Sequence, residues 1–181
     1  MKEKILNKAT ELFLEQGFKS VTMDDLANGM GISKKTIYSH FENKTKLIEE
    51  STSHLLSSFS CGIDGIRELN KNPIEELYEI KKFVMLHLKD EKSSPQYQLQ
   101  KYYPKIHGLM RNRQYEMMED CVLANIRKGM ELAIYRENLN MDFVARIYFS
   151  GVTSIKDLKL FPVHKFPISQ LMDEYLEYHL R

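Results

Sequence analysis

Lys34, Lys35, Lys44 and Lys46 lie close together in the chain, with Ser33, Thr36, Tyr38 and His40 interleaved. Only Glu42 opposes them, so Ser33 to Leu47 carries a local charge of 4 − 1 = +3. Lysine ammonium groups neutralise phosphates and reach guanine O6 and N7. Ser33 and Thr36 hydroxyls hydrogen-bond phosphates or bases, and Tyr38 and His40 offer rigid arms to a phosphate backbone. The chemistry on offer is recognition of double-stranded DNA.

Those side chains need a scaffold, and Phe18 to Leu47 reads as one. Met23, Leu26, Ala27 and Met30 recur at i, i+3, i+4 and i+7, one face of a helix. Thr22 with Asp25 three residues on resembles a capping box, which starts that helix. Gly31 stops it, because glycine enters the left-handed conformation at little cost. Ser33 then caps a second helix that turns Lys34, Lys35, Thr36, Tyr38 and His40 outward and Ile37 and Phe41 inward. Two helices across a tight glycine turn make a helix-turn-helix, whose second helix enters a major groove. The free N–H groups and positive dipole at its start attract phosphate. The blander alternative is a solvated face of a small helical bundle, to which two adjacent lysines alone would point.

The same residues resemble the DNA-binding domain of tetracycline-repressor (TetR/AcrR) family regulators. The matching pieces are Ala9, Leu12, Phe13 and Gly17-Phe18, then Val21-Thr22-Met23, Leu26-Ala27, Gly31-Ile32-Ser33, Thr36-Ile37-Tyr38, His40-Phe41, Lys44 and Leu47. The resemblance is specific over about the first quarter of the chain and architectural beyond it. It implies DNA contacts from Thr22, Ser33, Lys34, Lys35, Thr36, Tyr38, His40 and Lys44, the last through its backbone N–H or side chain on a phosphate. Two departures stand out. Lys35 occupies a position where the family often has a small residue. Asn28-Gly29 lies near the end of the second helix, where glycine costs about 1 kcal/mol relative to alanine and invites fraying.

Composition agrees. The chain has 181 residues, enough for a three-helix module and a helical core domain. Net charge is +1, and residues 1–50 balance eight lysines against eight acids, so any DNA affinity comes from a small footprint. The N-terminus reads as an amphipathic helix with Ile5, Ala9, Leu12 and Phe13 buried, not as a signal peptide. No 18-residue apolar run marks a membrane span. Cys61 and Cys121 are too few for a disulfide framework, and a cytoplasmic, reducing setting is the expectation.

The remaining chain reads as helices, about nine in all, and the fold class as all-α. Asn43 caps a fourth helix lined by Leu47, Ile48, Ser51, Leu55 and Phe59, with Cys61 to Gly65 kinking or ending it. No linker precedes this helix, so it can carry a rotation between domains. Pro73 opens a fifth helix through Leu77, Val84 and Leu88. Asp90 to Pro95 reads as a loop, Gln96 to about Tyr103 as a sixth helix, and Pro104 to Ile134 as a seventh. Arg136 to Asn140 is a turn, Asn140 or Asp142 starts an eighth helix, and Phe161 to Pro167 connects to a ninth. Arg181 follows without a C-cap signal. The expected domains are 1–47 for DNA binding and 48–181 for effector binding and dimerisation.

The last two helices carry apolar stripes: Val144, Ile147, Gly151, Ile155 and Leu158, then Leu171, Met172 and Tyr175. They either finish the monomer core or form a homodimer interface. In the family such a pair packs against its two-fold mate, which implies Val144, Ile147, Gly151, Ile155, Leu171 and Tyr175 at the interface, with Gly151 admitting a partner helix. Phe83, His87, Tyr102, Met110, Met117 and Cys121 are the candidate pocket, since methionine and aromatic residues make adaptable apolar cavities. Residue by residue, ordinary core packing is the commoner explanation for such side chains, and only collectively do they make a pocket.

Enzyme chemistry finds no support. A phosphate loop, HExxH, Cys-x-x-Cys and a nucleophile elbow are all missing. His54, His87 and His107 could meet only through the fold, since no two histidines have helical chelate spacing, so neither a metal nor a cofactor is expected. The expectation is a ligand-responsive regulator, a repressor by resemblance, that binds a palindromic operator as a dimer and is released by a small apolar effector. The alternative is a helical interaction module with a degenerate helix-turn-helix that docks a protein. The lysines around Tyr38 favour the first.

Overall fold

The computed structural model describes residues 1–87, 95–155, 157, 159–162 and 164–180, without the side chains of His87 and Gln96. Among the described residues every regular element is a helix. They are α1 (Lys2–Gln16), α2 (Met23–Met30), α3 (Lys34–Tyr38), α4 (Lys44–Glu68), α5 (Pro73–His87), α6 (Pro95–Tyr102), α7 (Pro104–Glu131), α8 (Met141–Ser154) and α9 (Ile168–Leu180). The chain forms two compact units, Met1–Ser60 with the described part of Asp90–Gln114, and Cys61–Lys89 with Tyr115–Arg181.

The first unit is built on the stripe of α1. Ile5, Ala9, Leu12 and Phe13 are buried with Phe18, Val21, Met23, Leu26, Ala27, Ile37, Phe41, Leu47 and Ile48. Phe13 and Phe18 stack at 5.2 Å between ring centroids. Each such side chain contributes about 1.5–3 kcal/mol when taken from water, before the entropy of ordering it. Leu99 of α6 and Ile106 of α7 are buried in this same core, with Tyr103 and Met110 packed against it. The N-terminal unit is therefore larger than the expected 1–47 domain. Leu99, Tyr103, Ile106 and Met110 form a stripe across the α6–α7 junction, and its apolar face is satisfied here.

The second unit packs Leu77, Val122, Ile126, Ala145, Tyr148 and Leu176 together, with Ile155, Leu171 and Met172 beside them. A polar network ties the start of α5 to the end of α7. The buried Asn125 donates through Nδ2 to the Pro73 carbonyl at 2.9 Å and to Glu76 Oε1 at 2.8 Å, and accepts from the Tyr135 hydroxyl at 3.1 Å. Lys128 Nζ donates to the Lys71 carbonyl at 2.6 Å and lies 3.4 Å from Glu76 Oε2. The large majority of buried polar groups in folded proteins are partnered in this way.

Several expected boundaries move. α4 does not end at Cys61 to Gly65; it continues to Glu68, and Gly62 seats the Phe83 ring, whose Cζ would lie 2.2 Å from an added Cβ. α7 ends at Glu131, not Ile134, because Ala133 turns to φ 54 and the chain reverses onto Gly129. Pro95 is the first residue of α6 and not part of a loop. Asn140 caps α8, its side chain accepting from the Phe143 N–H at 3.1 Å. Leu88, Leu158 and the rest of the loop expected at Asp90 lie outside the described residues.

Candidate nucleic-acid interface

The capping box at Thr22 is complete. The Thr22 N–H donates to Asp25 Oδ2 at 2.8 Å, and the Asp25 N–H donates to Thr22 Oγ1 at 3.1 Å. These bonds from Thr22, backbone first and hydroxyl second, hold the Asp25 carboxyl below the usual carboxylate range, with the Lys44 charge adding to the effect. Gly31 ends α2 in the left-handed region at φ 64, and its N–H returns to the Ala27 and Asn28 carbonyls. α2 stays helical through Asn28-Gly29 to Met30.

Ser33 caps α3, accepting from the Thr36 N–H at 3.1 Å, and the two hydroxyl oxygens lie 2.9 Å apart. Ile37 and Phe41 are buried beneath, which fixes the rotation of α3 and leaves Lys34, Lys35 and Tyr38 exposed on its outer side. α3 is only Lys34–Tyr38, so His40 lies past its end, exposed in the turn, and not on the helix as expected. Its N–H bonds the Ile37 carbonyl.

The lysines differ in their partners. Lys34 Nζ lies 3.0 Å from Asp24 Oδ1, and this hydrogen bond raises its pKa above the ordinary lysine value. Lys46 is paired with Glu49 at 3.0 Å. Lys44 donates to the Lys19 carbonyl at 3.1 Å, and partial burial lowers its pKa against the opposing pull of Asp25. Lys35 is exposed, with no carboxylate on it among the described residues. Asn43 caps α4 by accepting from the Lys46 N–H at 2.8 Å, which satisfies one of the N–H groups of the first turn. Sequence reasoning missed Lys19 and Gln98 near this surface and assigned Tyr102 to the pocket instead. The Lys19 N–H donates to Gln98 Oε1 at 3.2 Å, and Lys19 Nζ stands 4.5 Å from the Tyr102 ring centroid. No periodic signal links residues so far apart in sequence.

The other candidate sites are rearranged. The six pocket candidates are divided between the units: Tyr102 and Met110 belong to the first, Phe83, Met117 and Cys121 to the second, and the His87 side chain lies outside the described residues. Among the described residues, two small cavities lie in the first unit. One, of about 20 Å³, is lined by Glu49, Thr52, Ser53, Leu56, Ile106, Leu109, Met110 and Arg113; the other is about 10 Å³. Such volumes suit a water, whereas ligand pockets start at about 300 Å³. Cys121 is buried, which pushes its thiol up to about 11.

Gly151 does not present an open notch to a partner. The Tyr175 ring of the same chain fills it: an added Cβ would stand 2.2 Å from the Tyr175 hydroxyl, whose single proton is shared between the Ile147 and Tyr148 carbonyls, each at 3.1 Å. Ile155 and Leu171 are likewise buried within the chain. Of the expected dimer residues, Ile147 is exposed and Val144 half-buried, while Phe143 and Tyr178 present large exposed apolar surface that sequence reasoning did not select.

Residues 5–51 match the sequence profile described as bacterial regulatory proteins, tetR family. The chain is 28% identical over 186 residues to the transposon Tn10 TetC protein of Escherichia coli, covering 86% of this chain and 92% of that one. It is 41% identical over 51 residues to the biofilm operon icaADBC HTH-type negative transcriptional regulator IcaR of Staphylococcus aureus, covering 28% of this chain and 27% of IcaR. The fold is shared with a transcriptional regulator from Cytophaga hutchinsonii, at TM-score 0.82 and 18% identity over 98% of this chain and 95% of that one. It is also shared with FadR of Thermus thermophilus, a TetR family repressor, at TM-score 0.64 and 16% identity over 99% and 93%.

Proposed function

We propose, from the premise that the chain belongs to the tetR family of bacterial regulatory proteins and is a DNA-binding transcription regulator, that it is a repressor acting as a homodimer on a palindromic operator. The observation that carries this reading is the capped α3 seated on Ile37 and Phe41 with Lys35 and Tyr38 exposed. Lys35 and Tyr38 contact bases or adjacent phosphates, Lys34 joins them on leaving Asp24, and the Thr22, Ser33 and Lys44 N-termini hold phosphates. A dimer sets two recognition helices about 34–36 Å apart or somewhat more, so the operator is two inverted half-sites. The negative regulation named for IcaR supports the repressor assignment.

The protomers pair through the outer faces of α8 and α9, where Phe143, Ile147 and Tyr178 are exposed. Release from DNA follows binding of a small, mostly apolar effector, a reading supported by the lauroyl-CoA complex of Thermus thermophilus FadR and by the methionine-rich composition of this chain. A coupling of about 1–3 kcal/mol would weaken operator binding roughly 5–150-fold. The setting is the cytoplasm, in keeping with two free cysteines and with no described helix long and apolar enough to cross a membrane.

The test is selection of duplexes from a random-sequence pool by the purified protein, followed by titration of the enriched sequence. An inverted repeat bound by two chains, with Lys35→Ala and Tyr38→Ala each weakening binding and leaving the thermal midpoint in place, supports the reading. Both variants binding like the parent sinks it.

A further inference from the structure

The first unit holds a second group of cations outside the helix-turn-helix. Lys19 lies between α1 and α2, and Lys101 near the end of α6, yet both ammonium groups gather on one exposed ring. Lys19 Nζ is 4.5 Å and Lys101 Nζ 5.4 Å from the Tyr102 centroid, within cation–π range. Lys101 also stands 5.8 Å from the Tyr97 centroid. A ring orients a cation without cancelling its charge, whereas a carboxylate does cancel it. Lys2, Lys8, Lys34 and Lys46 of the same unit each hold a carboxylate. Among the described residues no carboxylate pairs with Lys19 or Lys101.

This group is braced to the proposed DNA surface. Gln98, one turn before Tyr102 on α6, accepts from the Lys19 N–H at 3.2 Å. Its amide also packs on Gly17, where an added Cβ would meet it at 2.3 Å. The Lys19 carbonyl in turn receives the Lys44 ammonium at 3.1 Å. Lys44 is the first residue of α4, so Lys101, Tyr102, Lys19 and Lys44 form a continuous basic edge beside the α4 N-terminus. Asp25 is the acid that faces Lys44.

We propose that Lys19 and Lys101, held on Tyr102, bind backbone phosphates of the DNA flanking the bases read by α3. The surface is a phosphate-binding edge without base specificity, and it recruits α6 to the footprint. It rests on the DNA-binding reading above and extends it to residues outside the helix-turn-helix. Charge without base-edge geometry gives affinity and salt dependence, not sequence preference.

The experiment uses a duplex of about 30 base pairs, roughly three helical turns, enriched by the parent protein from a random pool. Parent, Lys19→Gln, Lys101→Gln and the double variant are titrated by fluorescence anisotropy over a potassium chloride series. Each substitution is present in both protomers, so the slope of log K against log salt for the dimer should become shallower by about 1.8 for each single variant and about 3.6 for the double. Base preference and thermal midpoint should stay with the parent. Lys8→Gln, which removes a lysine already paired with Glu11, should keep the parent slope. A double variant with the parent slope overturns the proposal, as does a loss of affinity that tracks a lowered thermal midpoint at unchanged slope. If that happens while Lys35→Ala and Tyr38→Ala still weaken binding, the regulator reading stands and only the flanking edge fails. A parent that enriches no duplex removes both.

Discussion

The ammonium of Lys34 sits 3.0 Å from Oδ1 and 3.1 Å from Oδ2 of Asp24, so the first lysine of α3 is held by the first turn of α2. This pairing sets the free state of the candidate reading head. Phosphates must compete with Asp24 for Lys34, and Asp24 itself repels them.

Asp24→Asn should therefore strengthen DNA binding, by about two- to fivefold on the scale of exposed ion pairs. The gain should shrink as salt rises, because these charges are exposed and screened. Anisotropy titrations of both proteins at two salt concentrations check this; weaker binding by Asp24→Asn at low salt refutes it.

Gly31→Ala should cost about 1–2 kcal/mol, because φ 64 is left-handed and strains any residue with a Cβ. An added Cβ meets nothing within 4 Å there, so the loss is conformational and Gly31→Asn should recover part of it. Denaturant unfolding of the three proteins measures the difference. Equal midpoints would show that the turn does not need this conformation.

Gly151 and Ile147 should separate folding from assembly. Gly151→Ala displaces the Tyr175 ring and its shared hydrogen bond, a loss of about 1–3 kcal/mol in the stability of the chain itself. Ile147→Glu places charge on an exposed face and should give a folded monomer. Light scattering with circular dichroism reports both. A dimeric Ile147→Glu variant excludes this face from the interface.

Stability should fall on the acid side of neutrality. Burial lowers the pKa of His179, which lies against the Tyr148 ring at 4.6 Å, and burial with the Arg111 charge lowers that of His107. Both folded-state values lie below the unfolded value of about 6.5, so the unfolded chain binds more protons in between. Stability is then fully present above pH of about 6.5 and is lost as pH falls through the folded values. Thermal melts from pH 7.5 down to 5, at values spaced about half a unit on the scale of such titrations, should show this. His107→Gln with His179→Gln should flatten the profile, and an unchanged slope in the double variant rules these two histidines out.

The parts of this protein legible in its sequence are those fixed by neighbours in the chain. Thr22 with Asp25, Gly31, Ser33 with Thr36, Asn43 with Lys46 and Asn140 with Phe143 each satisfy a helix end within three residues or one turn, so residue type and spacing suffice. The α1 stripe was legible for the same reason, since 3.6-residue periodicity decides which face is apolar. What covers an apolar face is a different matter. The stripe from Leu99 to Met110 could have packed anywhere and belongs to the first core; Gly151 could have admitted a partner and instead admits Tyr175. Lys34 and Lys35 are identical in type and adjacent in sequence, yet only Lys34 finds Asp24. Tertiary structure decided these points because they depend on distances between residues remote in sequence, and periodicity carries the orientation of a face but not the identity of its neighbour.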